Sequence, residues 1–189
     1  MSWLTNRRRG AGKKDESILP SGYTKLDYVA NTSNSYLRPG ITISNSDIIE
    51  IEFTPSAYSG LKFICGGANT SAGAANFFLA TTLQQWQYRP SSAYTFQANV
   101  KYRVRLGSGL FEVNGQAINI PKGNISIVSF ALFTDYGLDT RRFLGKIHSV
   151  KVDGKLNYIP CKGENNNVGF YDTYTKQLYL SQANPFVGG

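Results

Sequence analysis

The chain is short of the residues that most often carry chemistry. Its 189 residues include one histidine, His148, two cysteines, Cys65 and Cys161, and one methionine, and 12 acidic residues stand against 20 Lys and Arg. A lone histidine inside a strand-like run offers no Ser/His/Asp set. Two cysteines and that histidine fall short of a four-ligand zinc site. No G-x-x-x-x-G-K-[ST] phosphate loop occurs. No apolar run reaches 18 residues, so no membrane-spanning helix is expected. Arg7, Arg8 and Arg9 are followed by Gly, Lys, Asp and Glu rather than by an apolar stretch, so no secretory leader is expected. One Cys65–Cys161 disulfide is arithmetically possible, but without a leader two buried thiols are expected. No segment carries an amphipathic helical period. Neither a metal nor a cofactor is expected, and the chain reads as a non-enzyme.

What is present is strand and turn chemistry: Gly 19, Tyr 12 and Phe 11, in a chain long enough for one domain with a short arm. Residues 1–17, MSWLTNRRRGAGKKDES, form a basic, Gly-interrupted segment with Trp3-Leu4 as its apolar knob. Arg7, Arg8, Arg9, Lys13 and Lys14 against Asp15 and Glu16 give it 5 − 2 = +3 of the formal +8. Such a segment orders when a partner buries Trp3 and Leu4 and pairs its arginines with carboxylates. The other +5 lies on residues 18–189. A basic balance of this size suits an acidic partner, whether nucleic acid, anionic glycan or an acidic protein lattice.

From Tyr23 onwards short strands alternate with turns. Tyr23 to Val29 reads as a first strand. Asp47 to Phe53 alternates, with Ile49, Ile51 and Phe53 inward and Glu50 and Glu52 on a solvated face. Leu61 to Cys65, Asn76 to Ala80, Gln84 to Tyr88 and Tyr94 to Phe96 are further strands, with Gly66 to Ala75 a surface loop between the first two. Val100 to Leu106 sets Val100, Tyr102, Val104 and Leu106 inward, and presents Lys101, Arg103 and Arg105 as a basic stripe. Asn114-Gly115 is a type I′ hairpin signal that places Phe111 opposite Ile118. Ile125 to Phe133 is apolar on both faces and therefore central. Tyr136 to Thr140 is a polar loop. Asp153-Gly154 reads as a two-residue hairpin, and the offset between Ile147 and Val150 implies a bulge near His148-Ser149.

GKIHSVKVDGK, IPC and VGFYDTYTKQLY near the C-terminus, with LPSGYTKLDYVANTSNSYLRPGI near the other end, resemble the laminin-G-like, concanavalin A-like jelly rolls of gut bacteriophages and their hosts, the crAss-like phages included. The resemblance brackets nearly all of the chain after Ser17. It implies an all-β, concanavalin A-like jelly-roll β-sandwich over residues 18–189 with an extended N-terminal arm over residues 1–17. Hydrolases of this fold carry an E-x-D-x-x-E strand. The nearest segment here, Glu50-Ile51-Glu52-Phe53-Thr54-Pro55, lacks the third position and the third carboxylate, so no glycosidase pair is expected.

The resemblance implies a phage setting, and the layout of arm plus sandwich implies a virion structural role. The expected protein is an auxiliary, decoration or head-fibre-base protein on the capsid surface, made in the host cytoplasm and forming a homo-oligomer or a lattice. Trp3, Leu4, Arg7, Arg8, Arg9, Lys13 and Lys14 are its expected partner contacts, joined by Lys101, Arg103, Arg105, Arg141 and Arg142. The alternative is a glycan-binding module of a tail or fibre, with Trp86, Tyr88 and Tyr94 as a stacking platform and Asn165, Asn166 and Asn167 as hydrogen-bonding groups. Core aromatics are the commoner role for such rings. Asp135 and Asp139 bracket a loop too poor in oxygen ligands for calcium. A nucleic-acid partner is not favoured, because no aromatics interleave with the basic cluster and no base-reading motif occurs.

Overall fold

The computed structural model describes residues 18–56, 60–68, 75–82, 84–86, 90–91, 94–120, 123–125, 127–134 and 141–189. Among them the chain is all-β, without a helix, and its strands make two antiparallel sheets. The larger sheet runs β11 (Gln116–Ala117), β10 (Leu110–Val113), β9 (Tyr102–Gly107), β4 (Ile49–Pro55), β13 (Gly145–Val152), β14 (Leu156–Lys162), β15 (Val168–Asp172) and β16 (Gln177–Tyr179). Three short strands join it around β13 and β14: β1 (Thr24–Lys25), β2 (Val29–Asn31) and β17 (Val187–Gly188). The smaller sheet runs β3 (Thr42–Ile43), β12 (Val128–Leu132), β5 (Phe63–Ala68), β6 (Ala75–Ala80), β7 (Gln84–Trp86) and β8 (Pro90–Ser91).

One apolar cluster joins the inner faces of both sheets. The larger sheet contributes Ile49, Ile51, Phe53, Val104, Leu106, Val150 and Val152, and the smaller contributes Ile64, Phe77, Leu79, Val128, Phe130 and Leu132. Period-two alternation delivers these side chains to one side: in β4 every second residue is buried and the intervening ones are half-buried. Rings fill the gap between the sheets. Phe53 lies 5.0 Å from Phe96, 5.9 Å from Tyr102 and 5.8 Å from Phe143, and Phe133 lies 6.4 Å from Phe170. Each fully buried side chain of this size contributes about 1.5–3 kcal/mol, so Phe53→Ala is the kind of change that empties the centre of the sandwich.

Several expectations hold. Asn114 and Gly115 both take positive φ, at 52° and 82°, in a two-residue hairpin that pairs Val113 with Gln116, and the Ile118 amide donates to the Phe111 carbonyl at 2.8 Å. The β13–β4 register slips between Ile147 and Ser149, which is the bulge at His148. β12 lies between β3 and β5, as a doubly apolar strand should. Cys65 and Cys161 are buried free thiols, and burial pushes them up to about 12 and about 11.

Other expectations are corrected. The first strand is broken into β1 and β2, because the chain leaves β14 at Leu26 and joins β13 at Val29. The Asp153-Gly154 hairpin has three loop residues, since Val152 pairs with Leu156 and the Lys155 amide closes on the Val152 carbonyl. Gly66, Gly67 and Ala68 belong to buried β5 rather than to a surface loop. A Cβ at Gly67 would meet Phe77, and would lie 2.9 Å from the Ser129 carbonyl, so close approach and not looseness explains that glycine. Tyr94 to Phe96 is irregular, yet Phe96 is fully buried. Residues 136–140 lie outside the described residues.

Candidate interaction surface

Of the residues singled out from sequence, Lys101, Arg103 and Arg105 lie on the outer face of the larger sheet, which has three zones. The first spans β4, β9 and β10. Because β9 pairs with β4, Lys101, Arg103 and Arg105 stand beside Glu50 and Glu52. Lys101 Nζ lies 2.8 Å from Glu52 Oε2, and Arg103 donates twice to Glu50 Oε1, at 2.6 Å through Nη2 and 3.1 Å through Nε. Arg105 bridges Glu112 at 2.8 Å and Glu50 at 3.8 Å. The expected basic stripe is therefore an ion-pair ladder of three cations and three carboxylates. Strand pairing brings together the solvated carboxylates of β4 and the basic stripe of β9, which alternation alone left unrelated. Glu50 and Glu52 serve it as counter-ions, with side chains about a third exposed.

The second zone spans β14, β15 and β16. Cys161, Tyr171, Ile159 and Leu178 face outward there and are covered by Leu19 and Tyr23 from the segment preceding β1. Tyr23 meets Tyr171 edge-on at 5.7 Å. Leu19 is 8% exposed while its neighbour Ile18 is 66% exposed. The chain is thus pinned to the sheet at Leu19 and stands clear of it at Ile18.

Between these zones lies a fork. The His148 bulge parts β13 from β14: Val150, Lys151 and Val152 pair with β14, whereas Gly145, Lys146 and Ile147 pair with β2. β1 takes the freed edge of β14, matching Thr24 to Lys162 and Lys25 to Cys161. His148 locks the insertion. Nδ1 lies 2.9 Å from the Asp27 carbonyl, which can only accept, so Nδ1 carries the proton, and Nε2 accepts from the Thr54 hydroxyl at 3.0 Å. Partial burial holds the imidazole below its usual range, helped by Lys101 and Lys146 and opposed by the Asp27 hydrogen bond and Glu52. The ring is therefore neutral at pH 7, as a structural strand residue.

Trp3, Leu4, Arg7, Arg8, Arg9, Lys13 and Lys14 lie outside the described residues, as do Tyr88, Asp135 and Asp139. Trp86 belongs to β7, but its side chain is also outside the description. Tyr94 packs against the core, 4.9 Å from Phe96 and 6.0 Å from Tyr102, which leaves its ring little face for stacking on a ligand. Arg142 is 9% exposed with its guanidinium 4.4 Å over Tyr36, so it is an interior cation–π partner rather than a surface contact. Arg141 remains exposed. Asn165, Asn166 and Asn167 sit in the exposed turn between β14 and β15. Among the described residues no group of three His, Cys, Asp or Glu can hold a metal ion, and no helix is long and apolar enough to cross a membrane.

Sequence reasoning missed the Leu19 anchor and the fork. Leu19 carries no periodic signal of its own. The only local hint of the fork was the phase slip at His148. Neither a protein-family model, nor a curated protein, nor a solved structure matches the chain.

Proposed function

We propose that the chain is a phage virion structural protein of the jelly-roll type. Residues 18–189 stand as the body of an auxiliary, decoration or head-fibre-base protein on the capsid, and residues 1–17 dock it. The observation that carries this reading is the anchor at Leu19 with Ile18 exposed beside it: the chain that joins the basic segment is packed on the larger sheet at Leu19. The body itself is cationic, and Glu50, Glu52 and Glu112 are already paired with Lys101, Arg103 and Arg105. Arg7, Arg8, Arg9, Lys13 and Lys14 are therefore better matched by carboxylates on a neighbouring shell protein, with Trp3 and Leu4 supplying the apolar contact.

The test is deletion of residues 1–17, with particles purified after complementation by the full chain or by the truncation. The truncated body should keep its melting temperature and vanish from the particles. Normal occupancy by the truncation overturns the docking role.

A further inference from the structure

We propose that Ile18 to Tyr23 is a strap that lifts from the larger sheet as a unit, uncovering Cys161 while the body stays folded. One side chain of the strap, Leu19, is buried between exposed neighbours: Ile18 before it, and Pro20, Ser21 and Gly22 after it. Tyr23 adds a half-buried ring 5.7 Å from Tyr171. The Tyr23 amide donates to the Pro20 carbonyl at 3.2 Å, a bond local to the strap, and the ladder to β14 begins only at Thr24.

What the strap covers is separate from the main core. Leu19, Tyr23, Ile159, Cys161, Tyr171 and Leu178 form a cluster of their own on the outer face, whereas the cluster between the sheets, among the described residues, draws on nothing before Val29. Lifting the strap therefore removes no side chain from between the sheets and leaves the pairing of β14 with β15 in place. One buried anchor among exposed residues is the mark of a segment that opens locally, well short of global unfolding.

The two cysteines make the opening readable. Cys65 belongs to the core cluster and Cys161 lies under the strap. Both are fully buried, and a buried thiol is inert until it is uncovered. Lifting the strap frees Cys161 alone, while Cys65 waits for the sandwich itself to open. The strap continues into residues 1–17, so a partner that holds those residues better with the strap raised shifts the equilibrium toward the uncovered face. The lifting itself does not depend on what residues 1–17 dock on.

Iodoacetamide labelling of the full chain under native conditions, read by mass spectrometry at each cysteine, tests the strap. Each rate is taken relative to that of the same thiol in the urea-unfolded chain. On this scale Cys161 should react at least about tenfold faster than Cys65. Leu19→Ala should speed Cys161 about tenfold more and leave Cys65 unchanged. If Leu19→Ala unfolds the chain, Leu19→Val is read instead, with about a threefold gain at Cys161. Equal protection of the two thiols overturns the strap, as does acceleration of both by the same factor or no acceleration of Cys161 in the Leu19 variant.

Discussion

Across β4, β9 and β10 the outer face of the larger sheet is closed by charge, whereas across β14, β15 and β16 it is closed by Leu19, Tyr23, Ile159, Tyr171 and Leu178 packed over one another. The two halves share a sheet and a solvent, yet they answer to different physics. The ladder side chains are about a quarter to three-fifths exposed, so water and salt screen their attraction and the long side chains lose rotamer freedom to make it. The apolar half removes area from water, which salt does not weaken. The charged half therefore sets what the face repels and attracts, and the apolar half holds the chain in place.

Mutations of graded size can break or sharpen this contrast. Tyr171→Ala should be the most damaging, at about 3 kcal/mol by urea unfolding, because it removes the ring that Tyr23 and Leu19 cover. A loss below about 1 kcal/mol would show that the cluster is not a true second core. Lys155→Met comes next. Asp47, with 8% of its side chain exposed, accepts from Lys155 Nζ at 2.7 Å and from the Ser44 amide and hydroxyl. Leaving that carboxylate unpaired should cost about 2 kcal/mol after allowance for the partial exposure of Lys155.

The same pair gives a pH signature. Burial alone would raise the Asp47 carboxyl, but the hydrogen bonds from Lys155 and Ser44 and the Lys155 charge outweigh it and hold the group below its usual value. A folded-state value below the unfolded one stabilises above the unfolded carboxylate range. That contribution is lost as pH falls through the folded value. Asp47→Asn should flatten this acid limb of the stability curve.

A smaller effect, of opposite sign, is expected beneath the apolar half. Tyr158 stacks on Phe170 at 5.4 Å with its hydroxyl buried and unpartnered. Tyr158→Phe should stabilise by up to about 1 kcal/mol in the same assay. Smallest of all should be Glu50→Ala, which unpairs Arg103 and part of Arg105 yet lowers the melting temperature by no more than about 3 °C, and by less in high salt. A large, salt-insensitive loss there would erase the distinction between the two halves.

What could be read from sequence was whatever neighbouring residues decide. The Asn114-Gly115 turn, the alternation through Ile49, Ile51 and Phe53, and the slip at His148 are each set within a few residues, and each is where it was expected. What could not be read depends on distant partners. Lys101, Arg103 and Arg105 form a convincing stripe until β4 is laid beside them. Arg142 is one more surface cation until Tyr36 lies under it. Gly67 resembles loop glycine until Phe77 and Ser129 crowd it. The candidate surface was visible as residue types, and its charge balance came only from the pairing of strands.

The fork also bears on how the protein is made. Val29 to Asn31 needs Gly145 to Ile147, and Thr24 and Lys25 need Cys161 and Lys162. On a ribosome adding about 5–20 residues per second, that early segment waits on the order of ten seconds for its partners to emerge. Late strands therefore seat early ones, and Leu19 gains its footing only once Tyr171 and Leu178 have left the exit tunnel.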